Sequence, residues 1–292
     1  MISIIFCSRA SNNPDSNLKK LLDSTVACTT PEERKQIEVL IKLDDDDCRP
    51  SESFFAQYPF TIRTFVWSRG EGRHYLHHAQ EYMFAQRDPR SRFCVMTADD
   101  FFFTRPGFVT EILSVQDEFV ILGPVRPAIE TFAGIYENEA AVRRWVTAFG
   151  NLAPVVSVRL IEVCQNFGWQ SNVDSWLMGL SVVLFDLYKI IIWKPIEPYY
   201  ERGGGYGLGD TPTYNNMELT SQKGPFNHYW FELVRRQARN LFLNMEHGTD
   251  FKKTGSLPRR VWRKIRAQPL RRLPVRICKK IWSKVGMLWA SL

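Results

Sequence analysis

The sequence predicts an open, mostly parallel α/β sheet. Three observations carry this expectation. Apolar runs rich in β-branched and aromatic residues recur at Ile2–Cys7, Ile37–Leu43, Phe60–Trp67 and Arg92–Met96, the pattern of strands in a buried sheet. Segments with helical spacing follow the first and third, giving the order βαββαβ within about a hundred residues. Two of the strands end abruptly in aspartates, at Asp44–Asp47 and at Asp99-Asp100. Open α/β sheets put their functional residues at such carboxyl ends.

The elements follow in order. The first strand, ISIIFC, runs into the turn-forming stretch SRASNNPDSN. Leu18, Leu21, Leu22 and Val26 then repeat with helical spacing over Leu18–Ala27. IEVLIKL is the second strand and FTIRTFVW the third, and RGEGR leads into the helical HYLHHAQEYMFAQ. RFCVM is the fourth strand. Beyond it, Phe119–Val125 reads as a strand, and Glu137–Phe149 and Val156–Phe167 read as helices. Asp174–Phe185 is a helix or strand against the sheet, and Lys189–Trp193 is a strand. Tyr200–Asp210, with five glycines, reads as a mobile loop, and Phe226–Glu246 as one long helix. No internal repeat is visible.

The chain has 292 residues, enough for one large α/β domain or two small ones. With 45% hydrophobic and 24% charged residues it can bury a core, which excludes a wholly disordered chain. The net charge of +7 hides a division. Residues 256–292 hold 11 of the 38 Lys and Arg residues and no Asp or Glu. The remaining 27 stand against 31 acidic residues, so residues 1–255 carry a net −4. This excludes a uniformly basic protein that coats nucleic acid. The boundary falls near Gly255-Ser256-Leu257-Pro258.

In the tail, Cys278, Ile281, Trp282, Val285, Leu288 and Trp289 line one face of an amphipathic helix, with Arg276, Lys279, Lys280 and Lys284 outside that stripe. Tryptophan and basic residues on such a helix suit an anionic membrane surface. Packing on the body is the plainer alternative. No nucleic-acid partner is expected, because phosphates would not use the apolar stripe. The six cysteines form no C-x-x-C pair and fit reduced thiols. The start, MISIIFCSRA, lacks the basic region of a signal peptide, and Trp176–Phe185 is too short to span a bilayer. The expectation is a cytoplasmic protein, peripheral on the cytosolic face of a membrane.

Asp99-Asp100 is the strongest chemical signal. Adjacent carboxylates at a strand end repel unless a cation or basic group joins them. Hard divalent cations take oxygen ligands of this kind and share them with substrate phosphates. A solvated acidic turn is the alternative. Asp44–Asp47 adds charge at the same sheet edge, where one carboxylate could accept hydrogen bonds from a base or ribose; a solvated loop is again the alternative. His74 and His78 share a helix face, and no third ligand lies near them in sequence.

Taken together, ISIIFCSRA, IEVLIKLDDDD, RGEGRHYLHHA and RFCVMTADDFF resemble the GT-A fold glycosyltransferases, in particular the broad family-2 type. The resemblance covers about Met1–Tyr200 and implies a GT-A (Rossmann-like) domain over 1–255. Its nucleotide-sugar half would be 1–110, its acceptor half 111–255, with 256–292 as a basic amphipathic tail. It implies a nucleotide-sugar donor and a hydroxyl acceptor on a glycan, polysaccharide or lipid-linked sugar. Ser8 and Arg9 fall in the first loop, Asp44 or Asp45 would hold the nucleoside, and Arg69 and Arg73 could contact the diphosphate. Asp99 and Asp100 would hold Mn²⁺ or Mg²⁺. Asp174 would act as the general base of an inverting transfer, with a helix N-cap as its plainer role. The first loop reads S-R-A where the family's usual sequence is closer to T-Y-N. In the stretch PYYERGGG, Glu201 stands where some members carry a metal-binding His.

Two rival readings remain. A nucleotidyltransferase shares this sheet style, but it would be expected to carry a Gly-rich loop with a Lys after the first strand, and SRASNNPDSN has no glycine. A non-catalytic membrane-associated protein of the same fold is the other.

Overall fold

In the computed structural model, β1 (Ile2–Ser8) and β2 (Ile37–Asp44) are buried along almost their whole length. That explains their unbroken apolar runs, since helices cover both faces of the sheet. The described residues are 1–8, 17–45, 49–68, 74–124, 154–165, 173–202 and 228–247. The chain divides into two compact units, Met1–Glu246 and His247–Leu292, and the described residues lie in the first, save His247.

Beside β1 and β2 lie β3 (Thr61–Trp67), β4 (Phe93–Met96), β6 (Ile121–Gly123), β7 (Val155–Ser157) and β8 (Trp193–Pro195). The order across the sheet is β3-β2-β1-β4-β7-β6-β8. All strands run parallel except β7, which is antiparallel to both β4 and β6. A small second sheet pairs β5 (Phe101–Phe103) with β9 (Tyr200–Arg202). The fold class is the mostly parallel, Rossmann-like α/β arrangement that the sequence predicts.

Side chains alternate between two cores. Ile5, Leu40 and Met96 enter one, and Ile4, Phe6, Val39, Ile41 and Val95 enter the other, as a period of two requires. Helix α1 (Asn17–Ala27) lays Leu18, Leu21 and Leu22 onto the second core. Helices α2 (Pro31–Arg34) and α3 (Glu52–Ala56) are short, and each starts at a hydroxyl cap, Thr30 and Ser51. Thr30 and Glu33 form a reciprocal capping box. Helix α4 (His74–Ala85) packs Ala79 and Met83 against the first core. Helix α5 (Phe108–Ser114) begins at Gly107, whose φ of 80° is left-handed and costs glycine nothing.

Several expectations are corrected in the second half. Val156–Phe167 does not form one helix: Val155–Ser157 is strand β7 and helix α6 covers Val158–Cys164. A short buried apolar run carries no period that separates strand from helix, and the neighbours β4 and β6 decide it. Asp174–Phe185 lies in a helix, α7 (Val173–Tyr188), whose residues from Trp176 to Leu184 are all buried. Lys189–Trp193 is not the strand. Lys189 takes a left-handed φ of 59° after α7, and pairing begins only at Trp193. Tyr200–Arg202 is not loop but strand β9. Glu137–Phe149 and Gly203–Asp210 lie outside the described residues. Helix α8 (His228–His247) matches the expected long helix. Among the described residues, no helix is long and apolar enough to cross a membrane.

Candidate active site at the carboxyl ends of the strands

Strands β1, β2 and β4 run parallel, so whatever follows them meets at one edge. Beyond β4, the Thr97 amide donates to the Ile5 carbonyl at 3.2 Å and keeps the chain beside β1. Asp99 and Asp100 form the turn that leads into β5, closed by the Phe101 amide donating to the Ala98 carbonyl at 3.3 Å. Ser8 is the last residue of β1. Its Oγ donates to Oδ2 of Asp99 at 2.7 Å, across 91 positions of sequence. Ser8, Asp99 and Asp100 are all buried.

The turn is held firmly from its far side. Phe103 stacks on Phe108 with centroids 4.5 Å apart and lies 6.3 Å from Tyr199, while Phe101 meets Tyr200 edge-on at 5.1 Å. The Phe103 amide donates to Ser24 Oγ at 3.0 Å, which ties β5 to α1. The run of three phenylalanines after the two aspartates therefore anchors the acidic turn to α1, α5 and β9.

Asp44 ends β2. Its Oδ1 accepts from Nζ of Lys42, which is buried in the same strand and lies 5.5 Å from the Trp67 ring centroid. Asp45 is exposed, and its amide donates to the Trp67 carbonyl at 3.3 Å. The Cys7 thiol lies among these groups. Burial pushes its pKa up to about 12; Lys42 opposes that rise, and Asp44 and Asp99 add to it. Cys7, Lys42, Asp44 and Asp99 thus share one electrostatic neighbourhood.

The structure brings together Ser8, Asp44, Asp99 and Asp100 from the sequence-predicted set, with Asp45 at the rim. The backbone of Asp174 lies in the first turn of α7, and its side chain is outside what is described. Arg9, Arg69 and Arg73 lie outside the described residues. Lys42 and Trp67 were not singled out by sequence reasoning. A lysine inside the apolar run IEVLIKL is the signal that marks a buried charge. Among the described residues Cys7, Cys28, Cys94 and Cys164 are free thiols.

The donor set suits a hard divalent cation. Two adjacent carboxylates on a turn offer oxygen ligands, and Mg²⁺ commonly takes one or two carboxylates, leaving other positions to waters and substrate phosphates. Among the described residues no group of three or more His, Cys, Asp or Glu side chains is arranged to hold a metal ion.

Fold and edge define a Rossmann-like α/β protein with an acidic site at the ends of its parallel strands. No family model matches the sequence, and no curated protein is similar to it in sequence. Among solved structures, it is similar to residues 1–349 of S. aureus TarS at 12% identity and TM-score 0.47, covering 88% of this chain and 75% of that one. It is also similar to M. tuberculosis glucosyl-3-phosphoglycerate synthase at 11% identity and TM-score 0.45, covering 82% of this chain and 80% of that one. A third is the 4-diphosphocytidyl-2C-methyl-D-erythritol synthase of Anaerococcus prevotii, at 12% identity and TM-score 0.40, covering 75% and 96%. Likenesses this distant carry no argument about function, which rests on the chain's own residues.

Proposed function

We propose that the chain is a metal-dependent glycosyltransferase that moves a sugar from a nucleotide-sugar donor to a hydroxyl acceptor with inversion. The Ser8–Asp99 hydrogen bond supports this reading most directly. It joins the ends of β1 and β4 at 2.7 Å and fixes one of two adjacent buried carboxylates where an α/β sheet binds ligands. In this reading Asp99 and Asp100 hold Mn²⁺ or Mg²⁺, which when bound would stabilise the charge of the departing nucleoside diphosphate. Ser8 orients Asp99. Asp44 or Asp45 accepts hydrogen bonds from the nucleoside, and Arg69 and Arg73 meet the diphosphate. Asp174 takes the proton of the acceptor hydroxyl as its oxygen attacks the anomeric carbon and the bond to the diphosphate oxygen breaks. The acceptor class is a glycan, polysaccharide or lipid-linked sugar.

The test is a panel of nucleotide-sugars with Mn²⁺, read as release of nucleoside diphosphate. Release from one donor, dependent on acceptor and cation, is the expected result. Binding of a diphosphate without transfer would instead indicate a non-catalytic protein of this fold. Release of pyrophosphate from a nucleoside triphosphate and a sugar phosphate would indicate a nucleotidyltransferase.

The same reading puts the protein on the cytosolic face of a membrane through residues 256–292. Its support is the sequence alone: 11 basic residues, no acidic ones and the Trp282–Trp289 stripe. Deleting 256–292 is expected to release the protein from anionic liposomes in a sedimentation assay. Undiminished sedimentation would remove the membrane from the reading.

A further inference from the structure

Lys42 has no part in the chemistry proposed above, yet it is an expensive residue to keep. It lies in the middle of an otherwise apolar stretch and is 1% exposed, the only buried Lys or Arg among the described residues. Taking an ammonium out of water is costly, and a buried ion pair seldom stabilises a fold more than well-packed apolar side chains would. Its neighbours suggest what it is for. Nζ meets the Asp44 carboxylate and lies 5.5 Å from the Trp67 ring centroid. The pair is layered: the Lys42 side chain is 1% exposed and that of Asp44 12%. The lysine therefore lies beneath and the carboxylate at the rim. Asp44 pairs with Trp67 in the β2–β3 register, and the next amide, of Asp45, is bonded to the Trp67 carbonyl. The end of β2 is thus fixed in backbone and side chain together, in the neighbourhood that also holds Asp99.

We propose that Lys42 is a positioning residue that acts through Asp44, holding this carboxylate in one orientation at the rim to accept hydrogen bonds from the donor's nucleoside. The proposal rests on the nucleotide-sugar reading above and chooses Asp44 over Asp45 within it. An acceptor held in place before the ligand arrives loses less freedom on binding. Replacing Lys42 with methionine keeps most of the length of the side chain and removes the charge that orients Asp44.

The experiment uses the full chain with Mn²⁺ and measures binding of UDP, GDP, CDP and dTDP by calorimetry. The proteins are wild type, Lys42→Met, Asp44→Asn and the double variant. One diphosphate should bind to wild type. Lys42→Met should weaken its binding by about tenfold or more, the scale of a hydrogen bond to a charged group. In turnover, KM for the donor should rise while kcat stays within about threefold, since Asp99 and Asp100 are unchanged. The double variant should bind like Asp44→Asn to within about twofold, because the proposed route from Lys42 to the ligand runs through the Asp44 carboxylate, which both variants lack. That last comparison holds even if Lys42→Met alone does not fold. Wild-type affinity in a folded Lys42→Met overturns the proposal, as does a double variant tenfold weaker than Asp44→Asn. If wild type binds none of the four, the nucleotide-sugar reading falls and the proposal with it; if it binds and Lys42→Met binds equally, only the proposal falls.

Discussion

At the amino edge of the main sheet, Ser3 donates to Glu38 over 2.6 Å; at the carboxyl edge, Ser8 donates to Asp99 over 2.7 Å. Both pairs are buried, and both link β1 to another strand or strand end. Their surroundings differ. The Glu38 carboxylate accepts four hydrogen bonds, from Ser3, Ser91 (3.4 Å), the Asp88 amide (2.6 Å) and the Arg63 guanidinium (2.6 Å). It is one charge matched by a cation and neutral donors, and it ties β2, β3 and the start of β4 together. The carboxyl edge instead gathers three buried carboxylates, Asp44, Asp99 and Asp100, and Lys42 is bonded to the first of them. The same serine–carboxylate pair thus joins strands at one edge and, in the function proposed above, orients a carboxylate that would hold the metal at the other. Parallel strands explain which edge is which. Helices α1 and α4 follow the carboxyl ends of β1 and β3, so helix N-termini, which favour anions, gather on that side.

Removing a carboxylate at each edge tests this contrast most severely. Asp100→Asn is expected to cut transfer by about 10²–10³-fold, the scale of losing one pre-placed electrostatic group. Its melting temperature should stay near wild type. Glu38→Gln should do the reverse: about 3 kcal/mol of stability lost in urea denaturation, with kcat/KM of the remaining folded protein unchanged. An Asp100→Asn protein with normal transfer would break the comparison at its functional end.

The serines give a smaller and sharper version. Ser8→Ala should lower activity by about tenfold, as expected when a group orienting a ligand is lost. Ser3→Ala should leave activity alone and cost about 1 kcal/mol. Equal effects of the two on donor KM would mean that the edges do not differ in kind.

The smallest effect concerns another buried carboxylate. Glu33 accepts from the Thr30 amide at 3.0 Å, the Thr110 amide at 3.0 Å and the Thr110 hydroxyl at 2.7 Å, linking α2 to α5. Burial works against its charge, but the hydrogen bonds from Thr30 and Thr110 outweigh it, and its pKa lies below the ordinary 4.5. With the folded pKa depressed, the stabilisation is present above the unfolded value and is lost as pH falls through the folded one. Stability measured from pH 6 down to pH 3 should therefore fall less steeply in Glu33→Gln than in wild type. The substitution itself should cost about 1 kcal/mol near neutrality. Identical acid limbs would show that Glu33 carries no such linkage.

Much of the first hundred residues was legible because its signals are local. Strands β1 to β4 appear within a residue or two of the expected limits, since apolar runs ending in Asp or a turn mark their own boundaries. The three-residue strands β5 and β9 were not legible. A strand of that length has no period, and Phe101–Phe103 becomes a strand only because Tyr200–Arg202, about a hundred residues on, lies beside it. Strand β7 was missed for the same reason, its antiparallel course being imposed by β4 and β6.

The sequence by itself determined that aspartates follow β2 and β4, and parallel pairing then forces both to one edge. It also determined the division between a net-acidic body and a basic tail, because charge is additive along the chain. Only the tertiary structure decided that Ser8 bonds Asp99, that Lys42 sits under Asp44, and that Glu38 is a balanced structural charge. Each of these depends on side chains from separate strands or on burial, and neither distance nor desolvation is written in local pattern.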